Sequence, residues 1–177
     1  SGVKNLDQIV CNMLLFTKNN KPGSGDADVI RYLDDSLRFA SHIMKQNKIK
    51  LVKEFCTGHL MVQGDLELLK QVFLNIILNA VQSMKSGGSL TISIALTNEG
   101  LRPGAWKSDV QSPPIGLDNH GFVVMSFIDT GVGISDDDQE KIFNPFFTTK
   151  EKGTGLGLSI VHNILESHGG IIDVKSE

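Results

Sequence analysis

Asn75 and Asn79 stand four residues apart in a stretch of helical apolar periodicity, so their amides share one face beside the apolar stripe. Alone, the pair has two readings. The amides are polar residues at the rim of a core, or their oxygens turn into a cavity and help hold Mg²⁺ among phosphate oxygens. Further along, an apolar run ends in Asp129-Thr130-Gly131-Val132-Gly133-Ile134. An aspartate at a strand end followed by glycines at alternate positions suits a pocket where backbone must come close to a ligand. A turn closed by an Asx hydrogen bond is the alternative. An ionised carboxylate only accepts hydrogen bonds, so Asp129 would match the exocyclic amine of adenine and repel the carbonyl oxygen of guanine.

Gly153-Thr154-Gly155-Leu156-Gly157-Leu158-Ser159 runs straight into a helical pattern containing Ile160, Val161 and Ile164. Such an entry presents unpaired backbone N–H groups and the positive end of the helix dipole to an anion. It is not a Walker A loop, because no Gly-Lys-Ser/Thr follows, nor a GxGxxG fingerprint, because the glycines fall at every second position. Between the glycine clusters lies Phe143-Asn144-Pro145-Phe146-Phe147-Thr148-Thr149-Lys150, and Phe143 is expected to plug the core. Lys150 reads either as a solvated lysine or as a point charge for a terminal phosphate beside the loop.

These residues need elements to hold them. Val3, Leu6, Val10 and Met13 form a short a/d seam on a helix over 3–18, and 19–25 read as a linker. Asp26 or Asp28 caps a second helix that shows Val29, Leu33, Leu37, Ala40 and Met44 on one face. Short strands are expected at 49–55 and 60–62, around a turn at Thr57-Gly58. Asp65 caps the strongest helix, running to about Met84, with Leu69, Val72, Phe73, Ile76, Ile77 and Ala80 inward. Leu90, Ile92, Ile94 and Leu96 alternate as in a strand, and the apolar run 121–128 predicts a well-buried one. A long surface connection is expected over 98–120. A short acidic-capped helix near 136–142 and a helix from Gly155 to His168 follow. Gly169 is the expected C-cap, His168 a helix-end histidine favoured by the dipole, and 171–174 the start of a last strand. Strands and helices mix without strict βαβ alternation, which predicts an α/β two-layer sandwich, one sheet covered on one face by helices.

The chain has 177 residues, 40% of them apolar and 21% charged, with a net charge of −3, which suits a globular domain and argues against a dedicated nucleic-acid surface. No apolar run reaches the roughly 18 residues of a membrane span, and no signal-peptide pattern opens the sequence. Cys11 and Cys56 lack metal-ligand spacing and are expected to be free thiols in a reducing compartment.

Taken in order, Asn75/Asn79, Asp129-Thr-Gly-Val-Gly, Phe143 with Phe146-Phe147, and Gly153-Thr-Gly-Leu-Gly-Leu resemble the N, G1, F and G2 boxes of the catalytic ATP-binding domain of bacterial sensor histidine kinases. The resemblance covers about 26–175, and residues 3–18 resemble the end of that family's dimerisation and phosphoacceptor hairpin. It implies a division into 1–20 as hairpin helix, 21–27 as linker and 28–177 as catalytic domain. It implies a mixed, mostly antiparallel sheet layered on helices, the Bergerat-type ATP-binding fold shared with DNA gyrase and MutL-type ATPases. The cofactors implied are ATP and Mg²⁺, with Asn79 on the metal and Asn75 beside it. Asp129 would meet the adenine amine in a pocket shaped by Gly131, Gly133 and Phe143. Gly153, Thr154, Gly155, Gly157 and Leu158 would line the phosphates. Asn75 and Lys150 would stand at the phosphate that reacts, and 143–153 would form the lid. The implied partners are a phosphoacceptor hairpin and, indirectly, a response regulator, in a cytoplasmic, homodimeric kinase whose parent can be membrane-anchored.

Two departures accompany the resemblance. The family's acceptor is a histidine followed by an acidic residue, and none of His42, His59, His120, His162 and His168 has that neighbour. The family also carries another strand after the one begun at Ile171. Related hydrolases place a glutamate where this chain has Asn75, and an amide cannot serve as general base for water. Transfer to a protein nucleophile is therefore expected over hydrolysis. An anti-sigma-type serine kinase, a related ATPase or a nucleotide-binding module without phosphotransfer are the alternatives.

Overall fold

The computed structural model describes residues 26–55, 59–97, 122–151 and 153–176. The expected helix 3–18, the linker, the turn at Thr57-Gly58, His120, both cysteines and the connection 98–120 lie outside them. Strand β1 (Asp26–Asp28) leads into helix α1 (Val29–Gln46), then β2 (Ile49–Glu54), β3 (Met61–Gln63) and helix α2 (Leu66–Ser83). Strands β4 (Gly88–Thr97) and β5 (Phe122–Asp129) follow, then the short helix α3 (Asp136–Gln139) and helix α4 (Gly157–Ser167).

Asp28 rather than Asp26 caps α1, accepting from Arg31 N–H at 3.5 Å. Burial alone would push its carboxyl up, but hydrogen bonds from His59 and the N–H groups of Leu60 and Arg31 outweigh that and hold it below the usual carboxylate range. Asp26 belongs to β1, which pairs antiparallel with β3 in a small sheet of its own. The strands at 49–54 and 61–63 therefore do not form a hairpin. β2 instead pairs in parallel with β4, reached through α2, the kind of crossover a parallel pair requires. β4 and β5 pair antiparallel, with Leu90 opposite Asp129 and Ile94 opposite Met125.

The core lies between α1, α2, α4 and one face of the β2-β4-β5 sheet. Leu33, Ile77, Leu90, Ile92 and Val161 are 0% exposed, and each such side chain contributes about 1.5–3 kcal/mol through its burial. The predicted inner face of α1 is buried in full, and that of α2 is buried except for Ile76, which is partly covered. The run at 122–129 corrects the expectation of a well-buried strand. Val123, Met125 and Phe127 pack on the core while Ile128 stays 59% exposed, because helices cover only one face of this sheet. Phe143 is half-buried against the His162 ring at 5.6 Å, and its neighbour Ile142 is the buried residue.

At the C-terminal end, Gly169 adopts φ +69° and closes α4 through Gly170 N–H to Leu165 O and Gly169 N–H to Glu166 O, a Schellman pattern. The strand expected from Ile171 does not form among the described residues. A strand exists only against a partner edge, and this segment is instead tied by Ile134 N–H donating to Ser176 Oγ at 2.7 Å. No helix among the described residues is long and apolar enough to cross a membrane.

Candidate functional site

The C-terminal half of α2 builds one wall. Its periodicity buries Val72, Phe73, Ile77, Ala80 and Val81, so Asn75, Asn79, Gln82 and Ser83 fall at the edge of that stripe. Asn75 and Asn79 meet the start of α4. A Cβ placed on Gly157 would lie 3.6 Å from Asn79 Nδ2 and 3.7 Å from Asn75 Oδ1, so the helix entry and the two amides face each other closely. Two polar features there lack partners. Asn75 Nδ2 is buried with no hydrogen-bond acceptor among the described residues. Leu156 stands at the N-cap of α4 and supplies no side-chain cap. A buried unsatisfied donor costs about 1–3 kcal/mol. An uncapped helix N-terminus leaves N–H groups pointing outward. Both fit an anion placed between the two helices.

Lys150 reaches the same wall from the loop after α3. Its ammonium donates to Asn79 Oδ1 at 3.1 Å and to Gln82 Oε1 at 2.7 Å. Desolvation pushes it below the usual lysine range; Asp129 pulls the other way, while Lys85 adds to the fall. Two amide oxygens converging on a cation are hard donors of the kind Mg²⁺ takes, with the ammonium as the stand-in charge. No group of three or more His, Cys, Asp or Glu capable of holding a metal occurs among the described residues, so amide oxygens are the donors this wall offers.

Asp129 closes the other end. The ladder with β4 carries it to the tip of β5, where its Oδ1 accepts from Gly131 N–H and Ser83 Oγ, both at 2.8 Å. The Asx turn, one of the two readings of the sequence, is therefore formed. Thr130 anchors the turn, its Oγ1 accepting from Ser89 N–H at 3.0 Å and its N–H donating to Ser89 O at 3.2 Å. Gly133 has φ +72° and is exposed.

The loop between α3 and α4 folds on itself. Phe146 N–H donates to Gly155 O at 2.9 Å, and both residues have φ +68°. A Cβ on Gly155 would stand 2.3 Å from Phe146 C, and one on Gly153 would stand 2.2 Å from Thr148 Oγ1. Thr154 is exposed, Leu158 half-buried in the first turn of α4, and Leu156 fully covered. The structure brings Asn75, Asn79, Lys150 and Gly157 to one place and Asp129 with Gly131 to the end of the same helix. Phe143 instead packs on α4 through His162.

Sequence reasoning missed Gln82 and Ser83. Their signal was present, since both lie within four residues of Asn79 on a helix. His168 stands at the C-terminus of α4, as its reading as a helix-end residue places it, and also reaches another element. Its Nε2 accepts from Asp65 N–H at 2.9 Å, and its Nδ1 donates to Ile164 O at 2.7 Å. The two bonds tie the end of α4 to the start of α2.

Residues 64–177 match the family described as histidine kinase-, DNA gyrase B-, and HSP90-like ATPase. Sensor histidine kinase ZraS of Escherichia coli (strain K12) is 31% identical over 174 residues, covering 97% of this chain and 32% of that protein. Sporulation kinase C of Bacillus subtilis (strain 168) is 32% identical over the whole chain and 36% of its own length. The chain thus spans about a third of these relatives. The crystal structure of histidine kinase ThkA with response regulator protein TrrA superposes with a TM-score of 0.67 at 22% identity, over 96% of this chain and 42% of that one, which establishes the shared fold. With its glycine loop leading into α4, paired asparagines and mixed sheet, the chain belongs to the family of histidine kinase-, DNA gyrase B- and HSP90-like ATPases.

Proposed function

We propose that the chain binds Mg-ATP and donates the γ-phosphoryl group to a histidine on a dimerisation hairpin, as the catalytic part of a two-component sensor kinase. The observation that carries this is the convergence of Asn75, Asn79 and Lys150 on the uncapped start of α4, with Asp129 at the C-terminal end of the helix that carries the two asparagines. The orphaned Asn75 amide donates to a phosphate oxygen. The backbone N–H groups from Gly153 to Leu158 receive the phosphate chain. Asn79 Oδ1 would hold the metal, and Lys150, now on Asn79, would supply a positive charge to the terminal phosphate. Mg²⁺ bound with the phosphates would offset charge on the transferring group. Asp129 accepts from the adenine amine, with Gly131 and Gly133 letting backbone approach the base.

In the transfer, a ring nitrogen of the acceptor histidine forms the new bond to phosphorus and the bond to the ADP oxygen breaks. Asn75 leaves no general base for water, which favours a protein nucleophile. The relatives' names, and the ThkA–TrrA complex, support a sensor-kinase setting in which a response regulator takes the phosphoryl group onward. Residues 1–20 are assigned to the hairpin helix, 21–27 to a linker and 28–177 to the catalytic domain. Cytoplasmic exposure of the site follows from the ATP requirement.

Calorimetric titration with ATP and GTP tests the reading. ATP should bind and GTP bind poorly, and Asp129→Ala should weaken ATP by about 1.5–3 kcal/mol, the scale of hydrogen bonds to a charged group. With a histidine-bearing hairpin polypeptide from a sensor kinase added in trans, acid-labile label from radioactive ATP should appear on that polypeptide and not on this chain. Equal affinity for ATP and GTP, or stoichiometric label on this chain's own histidines, would overturn it.

A further inference from the structure

Ser83 is the last residue of α2, and its Oγ lies 2.8 Å from Asp129 Oδ1, which is 46 positions away in sequence. The same Oγ lies 2.8 Å from Ala80 O, and one hydroxyl proton cannot serve both acceptors at once. An ionised carboxylate is the stronger of the two, since charge-assisted hydrogen bonds are about twice as strong as neutral ones. Gly131 N–H supplies the second bond to that oxygen, also at 2.8 Å.

The contact is close on all sides. A Cβ at position 131 would fall 2.1 Å from Ser83 Oγ and 2.6 Å from Asp129 Oδ1, so serine, aspartate and glycine backbone touch one another. Both donors converge on Oδ1. Oδ2 accepts no hydrogen bond among the described residues and is the oxygen left to a ligand. Gly131 N–H is fixed by the turn; Ser83 is the one side chain among the described residues that orients the carboxylate, and it comes from the helix that carries Asn79.

We propose that Ser83 is the positioning residue that sets Asp129 for the 6-amino group of adenine. The proposal rests on the adenine reading of Asp129 and adds a specificity role for the end of α2. One helical turn then serves both ends of the nucleotide, with Asn79 and Gln82 toward the phosphates and Ser83 behind the base-reading carboxylate.

The experiment titrates the 177-residue chain with ATP and with purine riboside 5′-triphosphate, which lacks the 6-amino group. The variants are Ser83→Ala, Ser83→Thr, Asp129→Ala and the double alanine. Ser83→Ala should weaken ATP about fivefold, the scale of one hydrogen bond, and leave the purine riboside nucleotide nearly unchanged. Ser83→Thr, which keeps the hydroxyl, should restore ATP binding, and the double variant should bind ATP no more weakly than Asp129→Ala. Equal losses for both nucleotides, or a double variant weaker by the full Ser83→Ala factor, would overturn the positioning role while leaving Asp129 in place. An Asp129→Ala variant that prefers ATP as strongly as the wild type would overturn the adenine reading and this proposal together.

Discussion

Lys150 donates to Asn79 Oδ1 at 3.1 Å, joining the loop after α3 to α2 across 71 positions of sequence. That oxygen is also the proposed metal ligand. On that reading the ammonium occupies an acceptor that the metal ion would also use.

Asn79→Ala should reduce the tightening of ATP binding that Mg²⁺ brings, with ATP affinity in excess chelator little changed. On the proposed reading the amide would contribute an oxygen to the metal, whereas the unpartnered Asn75 Nδ2 and the uncapped start of α4 would serve the phosphates without it. Titrations with and without Mg²⁺ check this. An undiminished Mg²⁺ effect in the variant would remove Asn79 from the metal site.

Desolvation leaves the Lys150 ammonium below its ordinary value of 10.5. The unfolded chain binds that proton more tightly. Between the lowered value and 10.5, the unfolded state carries more protons, so this group makes stability rise with pH. Below the lowered value both states are protonated and the cost is constant. Urea unfolding of wild type and Lys150→Met, at neutral pH and just under pH 10.5, should show the difference moving in favour of the wild type as pH rises. A difference independent of pH would show that the lysine is fully solvated.

His168→Ala should cost about 1–3 kcal/mol of stability, because Asp65 N–H loses its acceptor at the start of α2. The ring also fills the space over Gly64, where an added Cβ would lie 2.8 Å from it. Urea unfolding measures the loss. Asp65 and Glu67 amides should exchange faster in the variant, while those of β4 and β5 should keep their order of protection.

What was legible in the sequence was local. The caps Asp65 and Gly169 and the face of α1 follow from spacing within a few residues, and each is where the pattern places it. What was not legible depends on distant partners. The apolar run of β5 reads as buried on both faces, but whether helices cover one face or two is decided elsewhere in the chain. His168 reads only as a helix-end residue until the start of α2 arrives beside it with an N–H to donate. The same holds for the site. Asn79, Asp129 and the glycines announce themselves by type and spacing, whereas Ser83 is an ordinary serine until β5 brings Asp129 within 2.8 Å.

Gly155 and Gly169 allow a comparison in which backbone conformation is constant and space is not. Their φ values are +68° and +69°, so alanine at either meets the same left-handed penalty, on the order of 1 kcal/mol. An added Cβ at Gly169 meets nothing within 4 Å, while at Gly155 it stands 2.3 Å from Phe146 C and 2.5 Å from Phe146 O. Those are backbone atoms of a residue itself held at φ +68°, so the loop cannot yield by turning a side chain. Gly169→Ala should therefore lower stability modestly and leave ATP affinity alone. Gly155→Ala should break the bond from Phe146 N–H to Gly155 O, speed hydrogen exchange across 143–151, and weaken ATP binding with little change in global unfolding. Hydrogen exchange with and without an ATP analogue, beside urea unfolding of both variants, separates the two effects. Equal behaviour of the two variants would show that the Phe146–Gly155 contact does not hold this loop.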